Sequence, residues 1–277
     1  MIRFDVIHVA LRAWLIAVLV FMLAPLIFVV INSFNSSPFS RFPPEAFSLR
    51  WYQDALTYAP FQAGFRNSVF VALGATSIAL VSGILAAIAL VRYSFRGRDV
   101  LRTAFIAPMV VPKVALGLAA FILFLRLADT FGLREQLFGT PISLVLVHAL
   151  IGLPLVVVII SSTLVALDPT LEEAAADLGA GPRETLLRVT LPLIRQGAII
   201  AGVFAFMFSF DEVESAIFLS PIAGRTLPVE MFLFLERRQD PTLAAVSSLL
   251  VAATFIGVVI LASRFGIERV TRVSARQ

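Results

Sequence analysis

A chain of 277 residues that is 59% hydrophobic and 14% charged, with a mean hydropathy of +0.95, is too apolar for a water-soluble domain, which would be nearer half apolar and a quarter charged. Its apolar residues come in runs of about 20, long enough to cross a bilayer as helices, where a β-barrel would show short alternating segments. The absence of cysteine excludes disulfides and thiolate metal sites. The net charge of +4 comes from arginines flanking the apolar runs, which marks membrane topology and not nucleic-acid binding.

Taken in order, Arg3 and Arg12 precede an apolar run over residues 13–31. The run is too long for the core of a signal peptide and no small-x-small site follows, so it reads as an uncleaved first span. Residues 32–66 are polar and proline-rich at first. Ser48 to Tyr58 then reads as a short amphipathic helix, with Ser48 as cap and Leu49, Trp51, Tyr52 and Leu56 as anchors at the outer membrane surface. The second span, 67–91, is rich in small residues (Gly74, Ala75, Ala79, Gly83, Ala86, Ala87), which favour close helix packing. A basic loop follows with Arg92, Arg96, Arg98 and Arg102. The third span, 103–125, is interrupted by Pro108 and Pro112, with Lys113 near its middle. The fourth, 142–167, contains Gly152 and Pro154; the fifth, 193–219, carries Asp211, Glu212 and Glu214 at its far end; the sixth, 243–265, precedes a basic tail. His8 and His148 are too far apart to form a ligand pair, and a lone histidine in a span usually bonds between helices. The expectation is an all-α polytopic membrane protein, a single domain over 1–277, with no metal site.

Six spans put both termini on one side. That side carries thirteen arginines and the other carries eight, so the rule that basic residues stay inside places both termini, and the loop 168–192, in the cytoplasm.

That loop, DPTLEEAAADLGAGPRETLLRVTLP, is the longest stretch with charges of both signs. Asp168 suits a cap, Pro169 a first turn, and Glu172 and Glu173 the positive end of the helix dipole. Gly179 and Gly181 stop that helix, and Pro182 can open another through Leu191. Two short helices at an angle would make a knob able to enter a groove of a soluble partner; the plain alternative is an ordinary amphipathic hairpin.

Glu173-Ala174-Ala175, then Gly179 after three intervening residues and Val189-x-Leu191-Pro192 after nine more, resemble the EAA loop of the membrane subunits of bacterial ABC importers. The likeness extends from about Phe65 to Leu261 and is most similar to the second permease of spermidine/putrescine-type systems. It rests on Phe65-Arg66-Asn67-Ser68, Ala107-Pro108-x-Val110-Val111-Pro112, Ser209-Phe210-Asp211-Glu212, Thr226-Leu227-Pro228 and Asp240-Pro241-Thr242, in that order. The resemblance implies a type I importer permease fold with coupling helices between spans four and five. It implies a complex with a second homologous permease, two ATPase subunits that hold ATP and Mg, and an extracytoplasmic solute-binding protein, all in membrane lipid. Glu173, Ala174, Ala175, Gly179 and Pro192 of the motif, with the adjoining Glu172 and Leu178, are then the residues expected to couple to the ATPase. No Gly-x4-Gly-Lys-Ser/Thr loop occurs in this chain, whose only lysine is Lys113, so ATP hydrolysis is expected on the separate subunits and this chain is not expected to be an enzyme.

The candidate pathway residues are Lys113, Asp211 and Glu212. A lysine near the bilayer centre costs about 2.5 to 3.5 kcal/mol on insertion scales, so it should face protein or water. It reads either as a pathway or gate residue or as half of an ion pair with Asp211 or Glu212. Depth argues against the pair, at about 15 Å up span three for Lys113 and about 27 Å up span five for Asp211. The acidic group reads either as an attraction for a cationic polyamine or as a solvated helix end. A zwitterion such as 4-aminobutyrate, an aminophosphonate or an opine remains open because Lys113 would repel a diamine. From another class, an ion-coupled secondary transporter is disfavoured by the lack of an internal repeat, and an ion channel by the lack of a filter-like stretch. A membrane enzyme lacks any nucleophile–base or metal constellation.

Overall fold

The structure, a computed structural model, describes residues 2–39, 43–138, 140–221, 224–238 and 240–265. Arg41, Arg269, Arg272 and Arg276 of the charge count lie outside the described residues. The chain falls into two compact units, one from its two ends (Met1–Ala59 with Met231–Gln277) and one from Pro60–Glu230. Among the described residues six helices are long and apolar enough to cross a membrane: Ile7–Ser33, Ala59–Arg92, Lys113–Phe131, Ile142–Val165, Pro182–Phe210 and Thr242–Ile260.

In the unit of the two ends, helix α1 (Ile2–Ser33) packs on α13 (Thr242–Phe265), which also meets α2 (Arg50–Thr57). The turn after α1 is closed by a lone antiparallel bridge between Asn35 and Phe47. Trp51 is buried there and its Nε1 donates to the Asn35 carbonyl at 2.5 Å. Ser33 Oγ meets Tyr52 Oη at 2.7 Å. Ser48 Oγ accepts the Arg50 amide at 3.2 Å, but the N-cap position of α2 is Leu49 and not Ser48, so the serine closes a turn just ahead of the helix. Of the four expected anchors, Trp51 is buried and Tyr52 partly so, whereas Leu49 and Leu56 are exposed. A helix of eight residues buries one stripe, and here Ala55 completes it.

The Pro60–Glu230 unit is built round α7 (Ile142–Val165). Of the apolar window of α7, 61% is buried, more than in any other span, so α7 is the core helix. Against it lie α3 (Ala59–Arg92) and α10 (Leu191–Phe210), through a cluster of Ala79, Ala87, Val156, Ile160, Leu164, Ile194, Ala201 and Ala205. The small residues of span two make this possible. A methyl on Gly83 would stand 2.6 Å from Val156 Cγ1.

Two spans differ from the expectation. Arg98–Ile106 (α4) is a separate short helix, and a 3-10 turn at Ala107–Met109 with Pro112 intervenes before α5 (Lys113–Phe131). Lys113 is therefore the first residue of α5 and not the middle of one continuous helix. The two prolines remove hydrogen-bond donors four residues apart, which ends one helix and opens the next. The fifth span ends at Phe210, so Asp211, Glu212 and Glu214 stand in a turn ahead of α11 (Ala216–Leu219).

Candidate coupling and pathway sites

The loop 168–192 holds one free-standing helix, α8 (Thr170–Asp177). Asp168 Oδ1 accepts the Thr170 amide at 3.0 Å. The Thr170 amide, and then its side chain, hold the Asp168 carboxyl below its ordinary pKa, so this side chain, one residue ahead of the N-cap Pro169, is charged at neutral pH. At the far end Gly179 has φ +89°, Gly179 N–H bonds the Ala176 carbonyl at 2.9 Å, and Ala180 N–H reaches back to Ala175 at 3.0 Å. This is the Schellman closure, which needs a left-handed residue after the helix. The second expected short helix does not stand alone. Pro182–Thr185 (α9) runs through a π-helical segment, Leu186–Thr190, into α10 without a break. Pro192 explains the segment. It has no amide to give to Arg188, and the Leu191 amide instead reaches Leu186, five residues back.

The coupling residues named from sequence divide into two groups. Glu173, Ala174, Leu178, Gly179 and Pro192 are exposed, and Leu178 is 91% exposed, an apolar knob that no described residue covers. Ala175 is half-buried. Glu172 turns inward. Its Oε2 is 2.7 Å from Arg92 Nε at the last turn of α3, a charge contact without hydrogen-bond alignment, and its Oε1 accepts from Thr190 Oγ1 at 2.8 Å. Arg92 and Glu172 are each less than one-fifth exposed and Thr190 is buried, so one carboxylate ties α8 to span two and to the start of span five. Arg98 Nε closes the same corner by donating to the Leu90 carbonyl at 2.6 Å. From sequence Arg92 was one of four arginines of a basic loop and Thr190 carried no role. The pairs are 80 and 18 residues apart, and no local period links them.

The pathway residues also divide. Lys113 Nζ is 2.7 Å from Glu212 Oε2, a pair the estimated depths disfavoured: α4 and the 3-10 turn pack along α7 ahead of Lys113 and carry the chain part of the way to the end of α10. The ammonium also lies 4.7 Å from the centre of the Phe208 ring. Glu212 is 2% exposed, and its Oε1 accepts from Ser215 N at 3.0 Å and Ser215 Oγ at 3.2 Å. Asp211 and Glu214 are exposed and lie outside this pair. His148 Nδ1 and Ser209 Oγ are 2.9 Å apart, a buried bond joining α7 to α10. His148 is six residues into α7, about 9 Å from its Ile142 end. Gly117 lets α5 press on the 211–215 turn, since a methyl there would stand 2.6 Å from Ser215 Cα. Gly117→Ala should therefore cost about 1–3 kcal/mol and lower the thermal midpoint of the purified protein. Gly152→Ala, with nothing nearer than 3.7 Å, should leave the midpoint nearly unchanged.

Among the described residues no group of three or more His, Asp or Glu stands close enough to hold a metal. Residues 79–271 match the model of the binding-protein-dependent transport system inner membrane component. The chain is 34% identical over 248 residues to the putrescine transport system permease protein PotI of Escherichia coli K12, covering 88% of this chain and 87% of that one. It is 27% identical over 243 residues to the spermidine/putrescine permease protein PotC of the same strain, covering 88% and 89%. It is 27% identical over 238 residues to the putative 2-aminoethylphosphonate permease protein PhnV of Salmonella paratyphi A, covering 86% and 87%. In fold it resembles a chain in the crystal structure of a bacterial ABC transporter that imports the acidic polysaccharide alginate, with a TM-score of 0.68, 17% identity and 96% and 98% of the two chains covered. With six apolar helices in the matching fold and the family's sequence pattern over more than two-thirds of its length, the chain belongs to the inner-membrane permease components of binding-protein-dependent transport systems, which are transport subunits and not enzymes.

Proposed function

We propose that this chain is the membrane-spanning permease of an ATP-driven importer for a small polyamine such as putrescine or spermidine. Its partners are two ATPase subunits carrying ATP and Mg, a second homologous permease and an extracytoplasmic solute-binding protein. Both termini and α8 face the cytoplasm, and 1–277 works as one permease domain. The observation that carries the substrate class is the 34% identity to a putrescine permease over 88% of the chain. The charge balance supports it. Lys113 is neutralised by Glu212, which leaves the exposed carboxylates of Asp211 and Glu214 to favour a cation.

In this reading ATP draws the two ATPase subunits together, and α8 moves with the subunit on which it docks. Leu178, Glu173 and Ala174 offer the docking face. Glu172 passes the displacement to spans two and five through Arg92 and Thr190, and the spans turn from one side of the membrane to the other. A second reading, import of a zwitterion, draws on the likeness to the aminoethylphosphonate permease.

The test is uptake by the complete complex with its binding protein in proteoliposomes, offered putrescine, spermidine, 4-aminobutyrate and 2-aminoethylphosphonate. Polyamine uptake that stops when the ATPase is inactivated is the expected result. Uptake of only the zwitterions would replace the substrate class, and uptake that persists without ATP hydrolysis would remove the importer reading.

A further inference from the structure

We propose that Glu212 and the ring of Phe208 form a subsite for a primary ammonium group, which Lys113 of the same chain fills until an amine of the substrate takes its place. The proposal rests on the polyamine-permease reading and deepens it.

An alkylammonium is recognised by a carboxylate through its charge and by an aromatic face through the ring quadrupole. Both stand round one point, where Lys113 Nζ lies 2.7 Å from Glu212 Oε2 and 4.7 Å from the Phe208 centroid. The carboxylate is pre-set. Ser215 N and Oγ both bond Oε1, which leaves Oε2 to face the cation. With Glu212 2% exposed, removing its cation without a replacement would leave a buried charge unpaired, so the subsite must always be filled. Exchange of one ammonium for another meets that condition.

The occupant is less enclosed than its carboxylate. The Lys113 side chain is 35% exposed against 1% for Glu212, so an incoming amine can reach the ammonium from the open side. Lys113 is also poorly placed as a permanent partner. It is the first residue of α5, whose first turn carries no acidic residue, and the positive end of a helix dipole opposes a cation there. A free diamine brings the same ammonium without that penalty. Asp211, exposed beside Glu212, leaves a carboxylate for the second amine. Lys113 thus holds the buried carboxylate in balance between transport cycles, and the same lysine that would repel a diamine in the open marks where its amine binds.

Equilibrium binding of labelled putrescine to the assembled complex in nanodiscs, without the binding protein, tests this. Lys113→Met removes the internal competitor and should tighten binding about tenfold or more, because apparent affinity scales with the fraction of sites left free. Phe208→Leu keeps the ion pair and should weaken binding about 3- to 10-fold through loss of the ring face. Adding Glu212→Gln to Lys113→Met should erase the gain. Unchanged putrescine affinity in both single variants overturns the subsite. If Lys113→Met fails to assemble, Phe208→Leu decides alone, and unchanged affinity there overturns it too. Wild-type uptake separates the two levels. A complex that imports no polyamine refutes the underlying reading, while normal polyamine uptake with unaltered variants refutes only the subsite.

Discussion

Replacing Arg92 with methionine is expected to cut uptake about tenfold in reconstituted complexes while ATP hydrolysis continues. The reason is mechanical. Glu172 of α8 contacts both α3 and the π segment, through Arg92 at 2.7 Å and Thr190 at 2.8 Å. The pair is partly solvent-screened, so the loss is smaller than the 3–5 kcal/mol of a fully buried one and falls at about 1–2 kcal/mol. That reduces the population of docked α8 about 5- to 30-fold. A helix that docks on the ATPase but slips against its own spans spends nucleotide without moving solute. Glu172→Gln should act in the same direction and less strongly, because the neutral amide still accepts from Thr190. The charge-reversed pair Arg92→Glu with Glu172→Arg should recover part of the coupling. The quantity to measure is solute moved per ATP hydrolysed. A ratio unchanged in Arg92→Met, with intact assembly, would show that the contact is ornamental to transport. Glu173→Gln gives the complementary case. That side chain is exposed, so its loss should weaken ATPase docking and lower hydrolysis and uptake together.

Gly179→Leu is expected to uncouple the complex as severely, for a different reason. No atom lies within 4 Å of where its Cβ would be, so the side chain has room. The obstacle is the backbone. At φ +89° a leucine pays roughly 1–2 kcal/mol of local strain, relieved by unwinding the Schellman turn that ends α8. Leu178, the exposed knob, sits on that turn and would be displaced with it. Two controls separate conformation from bulk. Gly179→Asn tolerates the left-handed region and should keep most of the coupling. Gly181→Ala, at φ −73° with open space around it, should be nearly silent. Equal uptake per ATP in the leucine and asparagine variants would sink this account and leave side-chain size as the cause. The sequence reading assigned Gly179 the stop of the helix, and its positive φ is the means.

How much could be read from residues alone varies with the range of the interaction. The existence of six spans was legible because each rests on some 20 consecutive apolar residues, a property of the segment itself. The turns that Asp168 and Ser48 close just ahead of α8 and α2, and the stop at Gly179, were legible because each involves neighbours within five residues. The start of span three was misread. A hydropathy run passes smoothly over Ala107–Pro112, whereas the paired prolines break the helix there and make Lys113 a first residue. The end of span five was misread in the same way, since Asp211 begins a turn and not the last turns of a helix.

The sequence by itself determined the all-helical membrane-spanning class, the place of the polar loop between spans four and five, and the family likeness carried by Glu173-Ala174-Ala175, Gly179 and Leu191-Pro192. Only the tertiary structure decided which of two adjacent glutamates faces out, that Lys113 meets Glu212 and not Asp211, and that Arg92 and Thr190 hold Glu172 of α8. The physical reason is the same in each case. Burial runs and caps depend on a residue and its chain neighbours, so composition and spacing encode them. Ion pairs across 80 or 99 residues depend on where two helices happen to end and which side of each faces the other, and those are set by packing on α7.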